Sequence, residues 1–348
     1  MEGVALLSPA EAGLPVRRRV SLGVRRIAPG LVVAGVVAMA ASWLADHYGA
    51  PVMLFALLLG MAVNFLGQDA QCRPGIDFCA RTVLRLGVAL LGARITLEQV
   101  LGLGGGVLLI AAGGVVFTLL AGWLLARLFR LTADFGVLTG GAVAICGASA
   151  ALALSSILPP SETRERDTVL TVVGVTALST VAMIAYPLAA AALGLSHHQT
   201  GVLLGATIHD VAQVVGAGYG VSKEAGDAAT IVKLFRVALL LPVVLVVALL
   251  FPVPGGAAGG GRRPPAMPLF LVGFAALVAL NSLNLVGGGV MAGAGDASRW
   301  CLTAAIAAVG VKTSLGDLVR IGWKPVALIV LETAVVFAWS LGWITALP

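Results

Sequence analysis

Eleven apolar stretches of roughly membrane-spanning length, at 28–46, 51–67, 80–103, 105–128, 136–157, 167–194, 200–220, 228–252, 268–290, 299–318 and 323–346, set the environment of this chain. About 20 helical residues cross a bilayer's hydrocarbon layer, and most of these stretches reach that length. Composition agrees: 59% of the 348 residues are hydrophobic and only 11% charged. A soluble domain carries about 25% charged residues, and its exterior must be covered by polar groups. Soluble enzymes, nucleic-acid binders and disordered chains are therefore excluded. Aromatics are only 6%, and the apolar runs exceed the strand length of an outer-membrane barrel. The expectation is an all-α polytopic membrane protein of about eleven transmembrane helices.

Basic residues set the orientation. Arg17, Arg18, Arg19, Arg25 and Arg26 precede the first span, and Arg73, Arg127, Arg130, Arg262, Arg263, Arg320 and Lys324 fall in or beside even-numbered loops. The positive-inside rule then predicts a cytoplasmic N-terminus in a bacterial inner membrane. Four segments follow: a basic tail (1–26), a first repeat with central broken helices (27–251), a Gly/Pro-rich cytoplasmic linker (252–267), and the C-terminal part of a second repeat (268–348). The four cysteines lack the spacing and nearby His of a zinc site, so no metal is expected. No G-x-x-x-x-G-K-[ST] motif occurs, so neither a cofactor nor ATP-driven transport is expected.

An internal repeat carries the most information. "PVMLFALLLGMAVNFL" from Pro51 resembles "PLFLVGFAALVALNSL" from Pro268, with Asn64 matched to Asn281. "GARITLEQVLGLG" from Gly92 resembles "GVKTSLGDLVRIG" from Gly310, pairing Arg94 with Lys312, Thr96 with Ser314, Leu97 with Leu315 and Gly104 with Gly322. Pro268 follows Pro51 by 217 residues and Gly310 follows Gly92 by 218, so two separate blocks share one register. On the eleven-span count the copies lie an odd number of spans apart and run in opposite directions. Inverted repeats are a hallmark of secondary transporters. Asn64 and Asn281 are expected to bond across helices.

Two central segments hold the candidate chemistry: "GVLTGGAVAICGASAALALSSIL" (136–158) and "GVLLGATIHDVAQVVGAGYG" (201–220). Both begin G-V-L-x-G, carry glycines such as Gly147 near the centre or ends, and place polar side chains in apolar runs: Thr139, Cys146, Ser149 and Ser155 in one, Thr207, His209, Asp210 and Gln213 in the other. Non-helical backbone at membrane depth must line a cavity or be buried in protein, and broken helices offer free N–H groups to an oxyanion. An ionised carboxylate at a helix centre costs at least about 2.5 kcal/mol, which singles out Asp210. His209 and Gln213 are four apart, hence on one helical face. His209 beside Asp210 can carry a proton near neutral pH. Arg94 and Lys312, the paired bases, are candidate anion contacts; the alternative is that they snorkel to the interface. Lys233 and Arg236, at the start of the eighth span, fit the snorkelling role better. Glu332 is either a proton carrier or a neutral acid bonded between helices.

The blocks "AICGASAALALSSIL", "LGATIHDVAQVVGAGYG", "KLFRVALLLPVV" and "VGVKTSLGDL…GWKP" resemble the YeiH-type membrane proteins, commonly labelled sulfate exporters, over nearly the whole chain after the basic head. That family is similar to the superfamily of bile-acid symporters and cation/proton antiporters. The resemblance implies two inverted bundles, crossed broken helices and a core moving against a scaffold. The expected function is secondary active export of a small anion such as sulfate or a sulfonate, coupled to protons or sodium, by alternating access. The lipid bilayer is the expected surrounding, nucleic acid is not a partner, and a homodimer is an assembly option. A cation/proton antiporter using Asp210 as ion ligand is the first rival, and a membrane enzyme or ion-pump subunit the second.

Overall fold

The computed structural model describes residues 16–48, 51–251, 269–313 and 323–346. Most of the basic head, the 252–267 linker, and Ser314, Leu315 and Gly322 of the repeat lie outside the described residues. Among the described residues the regular structure is helical throughout. Five helices are long and apolar enough to cross a membrane alone: Leu22–Tyr48, Gly104–Leu128, Arg164–Ala192, Lys223–Leu250 and Trp323–Ala346. Shorter apolar helices accompany them, at Val52–Ala62, Ala133–Ala144, Ala148–Ile157, Val211–Val221 and Leu269–Ser282. The chain is an all-α membrane protein.

Two compact units are formed, one from residues 1–96 and 273–314, the other from 97–272 and 315–348. The first contains α1 (Val16–Tyr48), α2 (Val52–Ala62), α3 (Arg73–Phe78), α4 (Leu84–Leu91), most of α14 (Leu269–Ser282) and α15 (Gly288–Lys312). Here α15 packs against α1, α2 and α4. The expected span at 80–103 is not one helix. A π-turn over Cys79–Val83 leads into α4, a 3₁₀ turn over Gly92–Arg94 follows, and Ile95 is extended. The stretches expected at 268–290 and 299–318 are also redrawn, because α14 stops at Ser282 and α15 already begins at Gly288. Asn284, at φ 52°, makes the turn between them, so the glycine run opens a helix instead of closing one.

Contacts in this unit bear out the repeat. Asn64 donates to Val311 O (2.8 Å) and Thr313 O (3.1 Å), while its counterpart Asn281 donates to Ile95 O (3.1 Å). Thr313 follows Ile95 by 218 residues, the repeat register itself. The glycines repeat the exchange. A Cβ on Gly310 would lie 2.4 Å from Leu57 O, and one on Gly92 would lie 2.4 Å from Phe274 O. Leu57 and Phe274 are again 217 residues apart. Arg94 pairs with Asp296 at 3.2 Å, and Lys312 pairs with Asp77. When residue i of one copy touches j of the other and the reverse contact recurs, the copies are related by a two-fold axis. The asparagines satisfy carbonyls at or just past helix ends, which lipid would leave bare. They bond across helices, as expected.

The second unit comprises α5 (Leu97–Gly102), α6 (Gly104–Leu128), α7 (Ala133–Ala144), α8 (Ala148–Ile157), α9 (Arg164–Ala192), α10 (His197–Thr207), α11 (Val211–Val221), α12 (Lys223–Ala238), α13 (Leu240–Leu250) and α16 (Trp323–Ala346). α6 packs on α7, α10 and α11 pack on α12, and α16 lies against α6, α7, α9 and α10. Side-chain caps start these helices: Thr132 bonds Phe135 N, Ser196 forms a capping box with Gln199, and Ser222 bonds Ala225 N. Gly194, at φ 68°, closes α9 by letting Leu195 N reach back to Ala190 O.

Candidate functional site

Both central segments are interrupted. α7 ends at Ala144; Ile145 and Cys146 leave the helix; and Gly147, at φ 63°, turns the chain into α8. That φ is costly for any residue with a Cβ, so a glycine marks this break. The second interruption has no glycine. α10 stops at Thr207, Ile208 is extended, and Asp210 starts α11 by accepting Ala212 N–H at 2.8 Å. Its own N–H is held by Ser179 Oγ on α9 at 3.0 Å. A short acidic side chain competes with helix continuation by bonding nearby amides, and here it begins a new helix. The shared helical face expected for His209 and Gln213 is therefore incorrect, since His209 sits in the gap before α11 begins.

Two cations close the C-terminal sides of both breaks. Lys233 and Arg236 lie three apart on α12, hence on one face, at 0% and 1% exposure. Lys233 Nζ donates to Ile145 O (2.7 Å) in one break and Ile208 O (2.8 Å) in the other. Arg236 donates through Nε to Ala144 O (2.8 Å) and through its terminal nitrogens to Val143 O (3.0 Å), Ala144 O and Gly205 O (3.1 Å). The last carbonyls of a helix are unsatisfied within it, and its C-terminus carries roughly half a negative charge. The two cations answer both demands for α7 and α10 together. The Asp210 carboxylate is an electrostatic neighbour of Lys233.

Around the breaks lie polar atoms that find no partner among the described residues. His209 Nε2 lies 3.0 Å from Thr333 Oγ1 on α16, while Nδ1 is buried and unbonded. Gln213 Nε2 donates to Thr180 Oγ1 (2.7 Å) and leaves Oε1 unpaired. Thr139 donates to Glu332 Oε1 (2.7 Å), and Glu332 Oε2 is bare. α8 begins without a side-chain cap. A Cβ placed on Gly147 would lie 3.7 Å from His209 Cβ, so the start of α8 and the second break adjoin.

Residues 29–329 match the family described as "Conserved hypothetical protein 698". The chain is 54% identical over 307 residues to the UPF0324 membrane protein TauZ of Paracoccus pantotrophus, covering 88% of this chain and 91% of that one. It is 49% identical over 318 residues to the UPF0324 membrane protein CT0845 of Chlorobaculum tepidum, covering 91% and 89%. A third relative, the UPF0324 membrane protein RB0971 of Rhizobium meliloti, is 50% identical over 322 residues, covering 91% and 93%. The chain belongs to the UPF0324 membrane protein family.

In this UPF0324 chain the sequence candidates divide between the units. Thr139, Cys146, Gly147, Thr207, His209, Asp210 and Gln213 gather in the second unit, at or beside the breaks. Cys146 is buried in the first break, and Thr207 spends its hydroxyl on Leu203 O (2.6 Å). Ser149 is exposed in the first turn of α8, and Ser155 bonds Thr168. Arg94 and Lys312 belong to the first unit, each in an ion pair with a carboxylate. Lys233 and Arg236 overturn their expected snorkelling role, because α12 starts at Lys223 and carries both to full burial. The signal was a Lys-x-x-Arg pair that begins ten residues beyond the start of α12, well inside the Lys223–Leu250 span and not at its head. Asp227, which falls between the expected spans 200–220 and 228–252, is a buried α12 residue accepting from Tyr219 Oη (2.6 Å) and Gln99 Nε2 (3.3 Å).

Proposed function

We propose that this protein is a secondary active transporter of the bacterial inner membrane, with its N-terminus cytoplasmic. It exports a small anion such as sulfate or a sulfonate, coupled to protons or sodium, by alternating access. The observation that carries this reading is the seating of Lys233 and Arg236 on the C-terminal carbonyls of both broken helices. With those ends neutralised, the N-terminus of α8, whose N-cap residue Gly147 makes no side-chain cap bond, keeps its roughly half positive charge. Of the two buried bases Lys233 has the capping carboxylate of Asp210 as a neighbour, so with both bases protonated the region carries an excess positive charge. Low dielectric strengthens the pull of that excess on an anion.

Gly147, where the chain turns into α8, adjoins His209, so an oxyanion at the first turn of α8 would also lie beside the second break. Interrupted helices that present opposite dipole ends to substrate and coupling ion are the general device of such transporters. The purified protein in proteoliposomes is expected to move sulfate or methanesulfonate under an imposed pH or sodium gradient. Flux that instead follows sodium or potassium, whatever anion is present, would favour a cation/proton antiporter with Asp210 as ligand.

A further inference from the structure

We propose that Glu332 is a buried proton-binding site, and that it binds and releases the coupling proton of the transport cycle. The second half of this statement rests on the transport reading above.

Glu332 lies on α16 at 0% exposure. Its Oε1 is 2.7 Å from Thr139 Oγ1, and Oε2 has no partner among the described residues. The surrounding backbone is drawn tight. A Cβ on Gly122 of α6 would lie 2.6 Å from Glu332 Oε1 and 2.6 Å from Gly136 O of α7. Only glycine there allows α6 and α7 to close over the carboxyl.

The hydrogen bonds fit the acid form better than the carboxylate. Thr139 has one hydroxyl proton and can also give it to Phe135 O (3.0 Å) or Gly136 O (3.3 Å). If Glu332 is protonated at Oε1, it donates to Thr139 and Thr139 donates onward to its own helix, so every donor is used. If it is ionised, Thr139 must turn to it, and Oε2 holds charge with no donor among the described residues. Burying an unpaired charge is far costlier than burying one neutral acceptor. Release of H⁺, leaving the carboxylate, therefore requires α6, α7 and α16 to separate enough to admit water.

Among the described residues no ion pair reaches Glu332. Acids and bases on the helices packed against α16 sit near helix ends: Arg127 stacks on Trp123, Asp134 pairs with Arg164, and Glu165, Arg166, Asp167, His197 and His198 occupy first turns. Tyr186 of α9 meets α16 through its ring, against Phe337. In the interior the adjacent titratable group is His209, held by Thr333, the next residue along α16. α16 thus touches the first broken segment through Glu332 and the second break through Thr333. A change at the carboxyl bears on both.

The test uses the full-length protein in proteoliposomes. Infrared difference spectra should show a protonated carboxylic acid in the wild type at neutral pH, and Glu332→Gln should remove that band. Glu332→Gln should also lose pH-gradient-driven accumulation of sulfate or methanesulfonate while still exchanging the anion across the membrane without a gradient. Should Glu332→Gln fold poorly, Thr139→Val serves in its place, and is expected to shift the acid band without abolishing it. Absence of the band in the wild type overturns the proton site. Intact pH-driven accumulation in Glu332→Gln overturns its coupling role alone. A wild type that moves neither anion overturns the transport reading, and the infrared result then judges the site by itself.

Discussion

Lys233→Met and Arg236→Met should each destabilise the protein severely, as a large drop in apparent unfolding temperature or loss of monodisperse protein in detergent. Methionine keeps the length and apolar stem of lysine but removes the donors to Ile145 O and Ile208 O. In Arg236→Met the carbonyls of Val143, Ala144 and Gly205 lose theirs. Each orphaned buried acceptor costs about 1–3 kcal/mol, so either change takes a large share of the stability of an ordinary domain. Lys233 ties Ile145 of the first break to Ile208 of the second, and its loss leaves Arg236 as the remaining side chain described above that joins the two segments. Arg236→Lys should rescue little, because one ammonium cannot replace a planar fork serving three carbonyls. Unchanged unfolding in both methionine variants would show the cations to be incidental to the breaks.

Asp210→Asn is expected to fold normally and to lose driven transport. Asn is as good an N-cap as Asp, so the bond from Ala212 N–H survives. Asp210→Ala, in contrast, should cost about 1 kcal/mol as the cap is lost. What Asn removes is the negative charge beside Lys233. The excess positive charge around the breaks then rises by one, so the anion should be held more tightly and released more slowly. The signature is a fall in the half-saturating sulfate or methanesulfonate concentration together with a collapse of gradient-driven flux. Driven flux at the wild-type rate would contradict the role given to Asp210.

Much of this architecture is legible in the residues. The repeat shows because Pro51, Asn64, Gly92 and Arg94 have counterparts whose jobs depend on residue type. Asn64 and Asn281 must each donate across to the other copy, and Gly92 and Gly310 must admit a carbonyl 2.4 Å from where a Cβ would stand. The first break shows because Gly147 takes a φ that other residues avoid. The second shows less clearly. "TIHDV" contains no helix breaker, and the amide that Asp210 frees by acting as a cap is taken up by Ser179, 31 residues away.

The two cations are the clearest case of chemistry hidden from local reading. A base near the start of an apolar run snorkels if that run begins at lipid headgroups, and caps if other segments end beside it. Only the packing of α10 and α11 on α12, and the convergence of the α7 terminus there, separates the two outcomes. Arg94 and Lys312 illustrate the converse. Equivalent repeat positions made them look like a pair converging on a ligand, whereas each meets a carboxylate of the opposite copy, Asp296 and Asp77. Those partners stand at a repeat offset of 219, one residue out of register with the glycines, and a strict alignment of the copies passes over them.

The central claim, that the breaks of the second unit hold the anion, is tested most directly at Cys146. This thiol lies in the first break, one residue before Gly147, and is 6% exposed. In a protein with Cys72, Cys79 and Cys301 replaced by serine, a membrane-impermeant methanethiosulfonate reagent should label Cys146 slowly in proteoliposomes. Sulfate or methanesulfonate, whichever is carried, should slow that labelling, with a concentration dependence matching the transport half-saturation and no effect from chloride at equal ionic strength. Labelling that proceeds at one rate with and without the carried anion would place the substrate elsewhere.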